Sequence, residues 1–192
     1  MAEKVGELLQ DKIQDQKNFI ALITVGAREY QNTNNEILRY LVNDKKMPGV
    51  YVTINKPFAT MKRILGDSGV DTRMIIFIDM ITKIAGSETQ KTSECLFLAG
   101  PERLSSLSIA LSEAVSAIPS KEKFIFFDSI STLLLYNNTG TVAKFAHFLT
   151  SKMRVWNVEG IFLSLENESD AELISQISSF SDVYLKLGDY AR

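Results

Sequence analysis

"FIALITVG", residues 19–26, is a short apolar run that ends in glycine and passes into the polar stretch "AREYQNTNNEIL" (27–38). Apolar side chains without alternation fit a strand buried on both faces of a sheet. Ile37, Leu38, Leu41 and Val42 then give the next segment a helical core stripe, and "MPG" (47–49) ends it. The same alternation continues to the C-terminus. "VYVTIN" (50–55), "MIIFIDMI" (74–81), "CLFLAG" (95–100), "FIFFDS" (124–129), "GIFLSLE" (160–166) and "VYLKL" (183–187) read as strands. Between them lie a helix from Pro57 to about Gly66 and one over 101–118 with Leu104, Leu107, Leu111 and Val115 on one face. A third carries Val142, Phe145, Leu149 and Met153, and a fourth is centred on Leu173–Phe180. Val5, Leu8, Leu9 and Ile13 mark an amphipathic entry helix over 3–17. Strands alternating with amphipathic helices predict an α/β three-layer sandwich with a mostly parallel central sheet. No linker or repeat divides the chain, so one domain is expected over residues 1–192, with its core over about 18–188. The polar stretch "AGSETQKTSE" (85–94) is expected to be an exposed loop.

The 192 residues are 45% apolar and 23% charged, an ordinary composition for a globular chain with a sizeable core. Lys and Arg number 21 against 23 Asp and Glu, for a net charge of -2. That balance argues against a nucleic-acid binder, which usually carries a basic face. No apolar stretch approaches the roughly 18 residues of a membrane span, and "MAEKVGELLQDK" (1–12) lacks the apolar centre of a signal peptide. The single cysteine, Cys95, excludes an internal disulfide framework. A cytoplasmic protein that engages neither membrane nor nucleic acid is the expectation.

Gly26 stands where a phosphate-binding loop would begin. Such a loop reads Gly-x-x-x-x-Gly-Lys-Ser/Thr: its glycines wrap backbone N–H groups around phosphate, its lysine neutralises charge and its hydroxyl holds Mg²⁺. An ungapped count puts Gln31 in place of the second glycine and Asn32 in place of the lysine, and Thr33 alone keeps its type. A one-residue insertion would remove that match as well. Gln31 makes a φ > 0 turn costly, and Asn32 forfeits charge-assisted hydrogen bonds of about 1.5–3 kcal/mol each. Glu29 and Glu36 add negative charge that only Arg28 offsets. "TNNE" (33–36) also matches a capping box, in which Thr33 caps the helix and Glu36 reaches back to its start. Thr33 is thus either a cap, the preferred reading, or a Mg²⁺ ligand.

"ALITVG", "GVYVTINKP", "KFIFFDSISTLLLYN" and "GIFLSLENE" together resemble the successive core strands of KaiC-like ATPases of the RecA superfamily, over roughly residues 18–188. The most specific piece is "FIFFDSIS" (124–131). The resemblance implies that it is the Walker B strand and that Asp128 is the Mg²⁺-associated aspartate. Such enzymes carry a glutamate, usually a pair, just after the second strand. Asn55 and Lys56 stand there, and neither serves as a general base. The chain ends at "KLGDYAR" (186–192), before the strands in which relatives carry a basic finger. Residual hydrolysis would need other carboxylates, such as Glu166 or Glu168.

The remaining candidates have structural readings. His147 has no Cys/His cluster in the sequence around it and reads as a packing or surface residue. Asp79 reads as a polar strand end, Trp156 as buried, and Asp128 with Ser129 and Ser131 as no hydrolase triad, because no histidine lies nearby in sequence. Two functions follow. The leading one is a KaiC/RecA-like domain that has lost ATPase activity, binds no cofactor, and regulates or scaffolds by association. Its partner would be itself, a related RecA-like subunit or another protein. The alternative is an ATP-sensing or slowly hydrolysing protein in which Gly26, Arg28, Gln31, Asn32, Thr33 and Asp128 line a rebuilt nucleotide site. Thr33 and Asp128 would then hold Mg²⁺ with ATP.

Overall fold

The computed structural model describes residues 3–13, 16–86, 89, 92–167 and 170–187. Seven strands form one sheet in the order β4-β3-β2-β5-β6-β1-β7. They are β1 (Ile20–Val25), β2 (Gly49–Thr53), β3 (Ile75–Asp79), β4 (Cys95–Phe97), β5 (Phe124–Asp128), β6 (Glu159–Leu165) and β7 (Val183–Leu187). Every pairing is parallel, so the sheet is wholly rather than mostly parallel. The helices are α1 (Glu3–Ile13), α2 (Tyr30–Arg39, extended by a wider turn to Asp44), α3 (Phe58–Asp67), α4 (Leu104–Ala117), α5 (Thr139–Trp156) and α6 (Ala171–Ser178). A short tight helix, Ile130–Leu135, follows β5.

The period of two along each strand divides the core into two layers. Ile20 and Leu22 of β1 join Val50, Val52, Ile125 and Phe127 under α4, α5 and α6. Ala21, Ile23 and Val25 point the other way, with Tyr51, Phe77 and Phe126, under α1, α2 and α3. This two-sided burial is why the strands carry so few polar residues.

Several boundaries differ from the sequence expectation. α1 ends at Ile13 rather than 17, and α4 begins at Leu104, three residues after Pro101. β3 ends at Asp79, whose carboxylate accepts from the backbone N–H groups of Phe58 (2.7 Å), Ile81 (2.7 Å) and Thr82 (2.8 Å). That buried carboxylate joins the start of α3 to the end of β3, the strand-end role its position implied. Of the expected loop over 85–94, residues 87, 88, 90 and 91 lie outside the described residues.

Register aligns the carboxyl ends. Thr53 sits beside both Asp79 and Asp128, and Val25 beside Leu165. In open parallel sheets ligands bind in the crevice outside that edge, so the candidate site is sought there.

Candidate functional site

β1 passes into α2 through residues 26–29, a turn closed by the Glu29 N–H on the Gly26 carbonyl (3.2 Å). α2 opens at Tyr30, and the Thr33 N–H already donates to the Glu29 carbonyl at 2.8 Å. Gln31, Asn32 and Thr33 are therefore helical. The capping box expected at "TNNE" does not form, because the helix begins before it. Glu29 occupies the cap position without a side-chain cap bond, Thr33 is buried, and Glu36 Oε1 accepts from Asn32 Nδ2 at 2.6 Å. Burial pushes the Glu36 carboxyl up, opposed chiefly by that bond.

Asp128 ends β5 and is 2% exposed. The Tyr30 hydroxyl donates to its Oδ1 and the Tyr51 hydroxyl to its Oδ2. Asn34 Nδ2 donates to the Tyr51 oxygen at 2.8 Å, and Asn55 Nδ2 lies 3.4 Å from both Asp128 Oδ1 and the Tyr30 oxygen. Around this centre, Thr132 Oγ1 donates to Asn55 Oδ1 at 2.6 Å and lies 2.8 Å from Ser129 Oγ. Lys56 donates to Gln31 Oε1, and Gln31 Nε2 donates onward to Asn35 Oδ1 at 3.0 Å. Burial raises the Asp128 carboxyl, opposed by its bonds from Tyr30, Tyr51 and Asn55 and by the Lys56 charge. Burial, reinforced by the Asp128 charge, drives both tyrosine hydroxyls well above their usual range, so they stay protonated as donors.

Of the residues singled out from sequence, Asp128 and Asn55 thus meet in one network, while Gln31 and Lys56 bond to each other beside it, the Lys56 charge acting on Asp128. Gly26 begins the turn and Arg28 is exposed in it, while Asn32 bonds along its own helix and Thr33 packs inside. Tyr30 and Tyr51 escaped sequence reading. Tyr30 gave no signal, because it falls at an unspecified position of the loop pattern; the signal of Tyr51 was a hydroxyl inside an apolar strand, where it must find a partner.

The other candidates fall away from this centre. Glu166 pairs with Lys186 at 2.5 Å, and Glu168 lies outside the described residues. His147 is exposed and packs edge-on against Phe180, 5.2 Å between centroids. Trp156 is half-buried against the core. Cys95 is buried, which pushes its thiol up and makes it unreactive. Among the described residues no group of His, Cys, Asp and Glu could hold a metal ion, and no helix is long and apolar enough to cross a membrane.

A family model described as a family of unknown function (DUF7504) matches residues 23–187. The chain belongs to the DUF7504 family. No curated protein matches it. Solved structures similar to this DUF7504 chain include a KaiC-like protein of the hyperthermophilic archaeon Pyrococcus horikoshii. It shares 15% identity and a TM-score of 0.64 over 91% of this chain and 74% of that one. An uncharacterized protein of Pyrococcus horikoshii, solved in complex with an unknown peptide, gives 15% identity and a TM-score of 0.65 over 94% and 82%. At that identity the likeness is one of fold: this DUF7504 chain has the α/β architecture of KaiC-like, RecA-type proteins.

Proposed function

We propose that this chain is a RecA/KaiC-like domain that neither hydrolyses ATP nor binds Mg-ATP in the usual way, and that it acts by association with protein as a regulatory or scaffolding module. The observation that carries this reading is the state of Asp128, with each carboxylate oxygen engaged by a tyrosine hydroxyl in a buried setting. A carboxylate that works with Mg²⁺ needs an oxygen facing water or metal. Thr33, the other candidate ligand, is buried within α2.

The phosphate side fits no better. A cradle needs a glycine-rich loop of inward N–H groups and a lysine free to reach phosphate. Here the residues at the second-glycine and lysine positions lie inside a helix, and Lys56 is spent on Gln31. Gly26, Arg28, Gln31, Asn32, Thr33 and Asp128 are read as the remains of a nucleotide site. A neighbouring cavity of about 530 Å³ at the same edge is lined, among the described residues, by hydroxyl, amide and leucine side chains with Asp170, and by no lysine or arginine. A protein of the same fold seen with a peptide is in keeping with a role in protein recognition.

The test is calorimetric titration with ATP and Mg²⁺ beside a thermal-shift scan. A Kd near 10 µM would stabilise the fold by about 2.7 kcal/mol at about 1 mM ligand. A flat titration with no shift is expected. Saturable heat with a matching shift, abolished by Asp128→Ala, would overturn the reading in favour of ATP sensing.

A further inference from the structure

We propose that the outer face of α5 is a docking surface for an acidic amphipathic helix of a partner protein. The inference rests on the association half of the reading above, and it names the surface and the chemistry of what it takes.

α5 turns Val142, Phe145, Ala146, Leu149 and Met153 inward against the core. Its outer side carries Lys144, Phe148, Lys152 and Val155, whose spacings of four, four and three place them in one stripe. Phe148 is 45% exposed and Val155 76%, apolar surface left in water. The helix holds no aspartate or glutamate. Arg154 is bound to Asp182 at 3.0 Å, but Lys144 and Lys152 have no ion-pair partner among the described residues. Lys152 Nζ instead lies 5.6 Å from the centre of the Phe148 ring. The stripe thus offers apolar side chains framed by two uncompensated cations.

The complement of such a face is a helix that sets leucine-like side chains between carboxylates at the same four-residue spacing. Ridges of residues four apart pack into the grooves of a second helix, and its carboxylates then fall opposite the lysines. This chain does not supply that helix. Leu8 and Ile109 are the large apolar side chains that its other described helices expose. Lys4 and Lys12 stand four residues to either side of Leu8, and Ser105 and Glu113 to either side of Ile109. An anionic bilayer fits less well than a helix. α5 packs against α4 and α6 on one side of the sheet, where they expose Glu113 and Glu172, and the chain carries a net charge of -2. A flat anionic surface would oppose those charges, whereas a single helix lies along α5 alone. One helix pair buries less than the roughly 1,200 Å² of a stable complex, so the docking is weak and sensitive to salt.

The experiment is fluorescence anisotropy of a labelled synthetic helix titrated with the full chain. The probe is a stapled peptide of about four turns, with leucines along one face and glutamates flanking them. Its counterpart carries lysine in place of each glutamate. Wild type is expected to bind the acidic peptide saturably, with a Kd on the order of 100 µM that rises in high salt, and to bind the basic one about tenfold more weakly. Lys144→Glu/Lys152→Glu should reverse that preference, as direct charge contact requires, and Phe148→Ser should weaken the acidic peptide by about fivefold. These side chains are exposed, so each variant should keep the wild-type Tm. Absence of saturable binding, equal binding of both peptides, or a double variant that keeps the wild-type preference overturns the proposal. So does co-sedimentation of wild type with phosphatidylserine vesicles that the double variant loses, which gives the face to lipid. A mass above the 21.5 kDa monomer that the double variant lacks gives it to a second copy and overturns it too. A failed peptide titration beside a flat Mg-ATP titration strikes the α5 docking and leaves the loss of nucleotide binding standing.

Discussion

Tyr51→Phe removes one hydroxyl and leaves the ring, stacked on Phe126 at 5.4 Å and tilted against Phe77 at 5.5 Å, in place. The lost oxygen donates to Asp128 and accepts from Asn34. A hydrogen bond to a charged group contributes about 1.5–3 kcal/mol, and a buried amide left unbonded costs about 1 kcal/mol more. Asn34 Oδ1 already lacks a partner, so nothing else holds that side chain. The expected loss is roughly 3 kcal/mol, which lowers Tm by about 6–12 °C in a chain of this length. The loss should also depend on pH. The folded carboxyl of Asp128 lies above its ordinary 3.8, so between the two values the folded state binds more protons and stability falls as pH rises. Removing a bond that favours the carboxylate raises the folded value further and carries this fall to higher pH. Urea denaturation should therefore show a larger drop in midpoint at pH 8 than at pH 4.5, with unchanged slope. An equal drop at both, or one under about 0.5 kcal/mol, would refute the account of Asp128 as a carboxylate held by tyrosines.

Three further changes probe other parts of the molecule. Glu159, at the start of β6, is pushed up to about 7 by burial and by the Glu122 charge, so its ionisation opposes folding as pH rises from about 4.5. Glu159→Gln should match wild type near pH 4 and exceed it by about 1–2 kcal/mol at pH 8 in the same denaturation assay, the full shift being discounted for partial exposure. A Cβ on Gly160 would lie 2.5 Å from Met153 Sδ and 2.8 Å from Ile20 Cδ1, so Gly160→Ala should cost about 1–3 kcal/mol of thermal stability through overpacking. Lys123 Nζ donates to the carbonyls of Val115 and Ile118 at 2.9 Å each, closing the end of α4, and Lys123→Met should cost about 1 kcal/mol by denaturation midpoint.

The fold was legible because its signals are local and repeated. The central strands are apolar runs whose two faces are both buried, and the lack of alternation along β1 reads directly as burial of Ile20 and Leu22 on one face and of Ala21, Ile23 and Val25 on the other. Helix ends were less legible, for they depend on tertiary partners. α2 carries a good capping box at Thr33 yet begins at Tyr30, where a side chain reaches across the sheet to Asp128. A local motif worth about 1 kcal/mol does not set the start of a helix whose first residue makes a hydrogen bond at long range.

That same bond explains why the site could be half read. Asp128 announces itself, because a carboxylate at the end of an apolar strand is conspicuous in one dimension. Its partners do not: Tyr30 lies 98 residues before it and Tyr51 77, and they meet only because β2 pairs with β5 while α2 lies over both. Sequence alone counted what the loop lacked, the second glycine and the lysine whose places Gln31 and Asn32 hold. The geometry adds what surrounds the aspartate. A pocket that had merely lost its ligand would leave a buried carboxylate short of donors, a state that costs several kcal/mol. Two tyrosine hydroxyls and an asparagine amide meet that cost here. On the function proposed above, the double change Gln31→Gly/Asn32→Lys is expected to leave a Mg-ATP titration flat, since the tyrosines would still hold the aspartate. On the same reading, an attempt to build Mg-ATP binding into the chain begins with Tyr30, the first residue of α2 and a donor to Asp128.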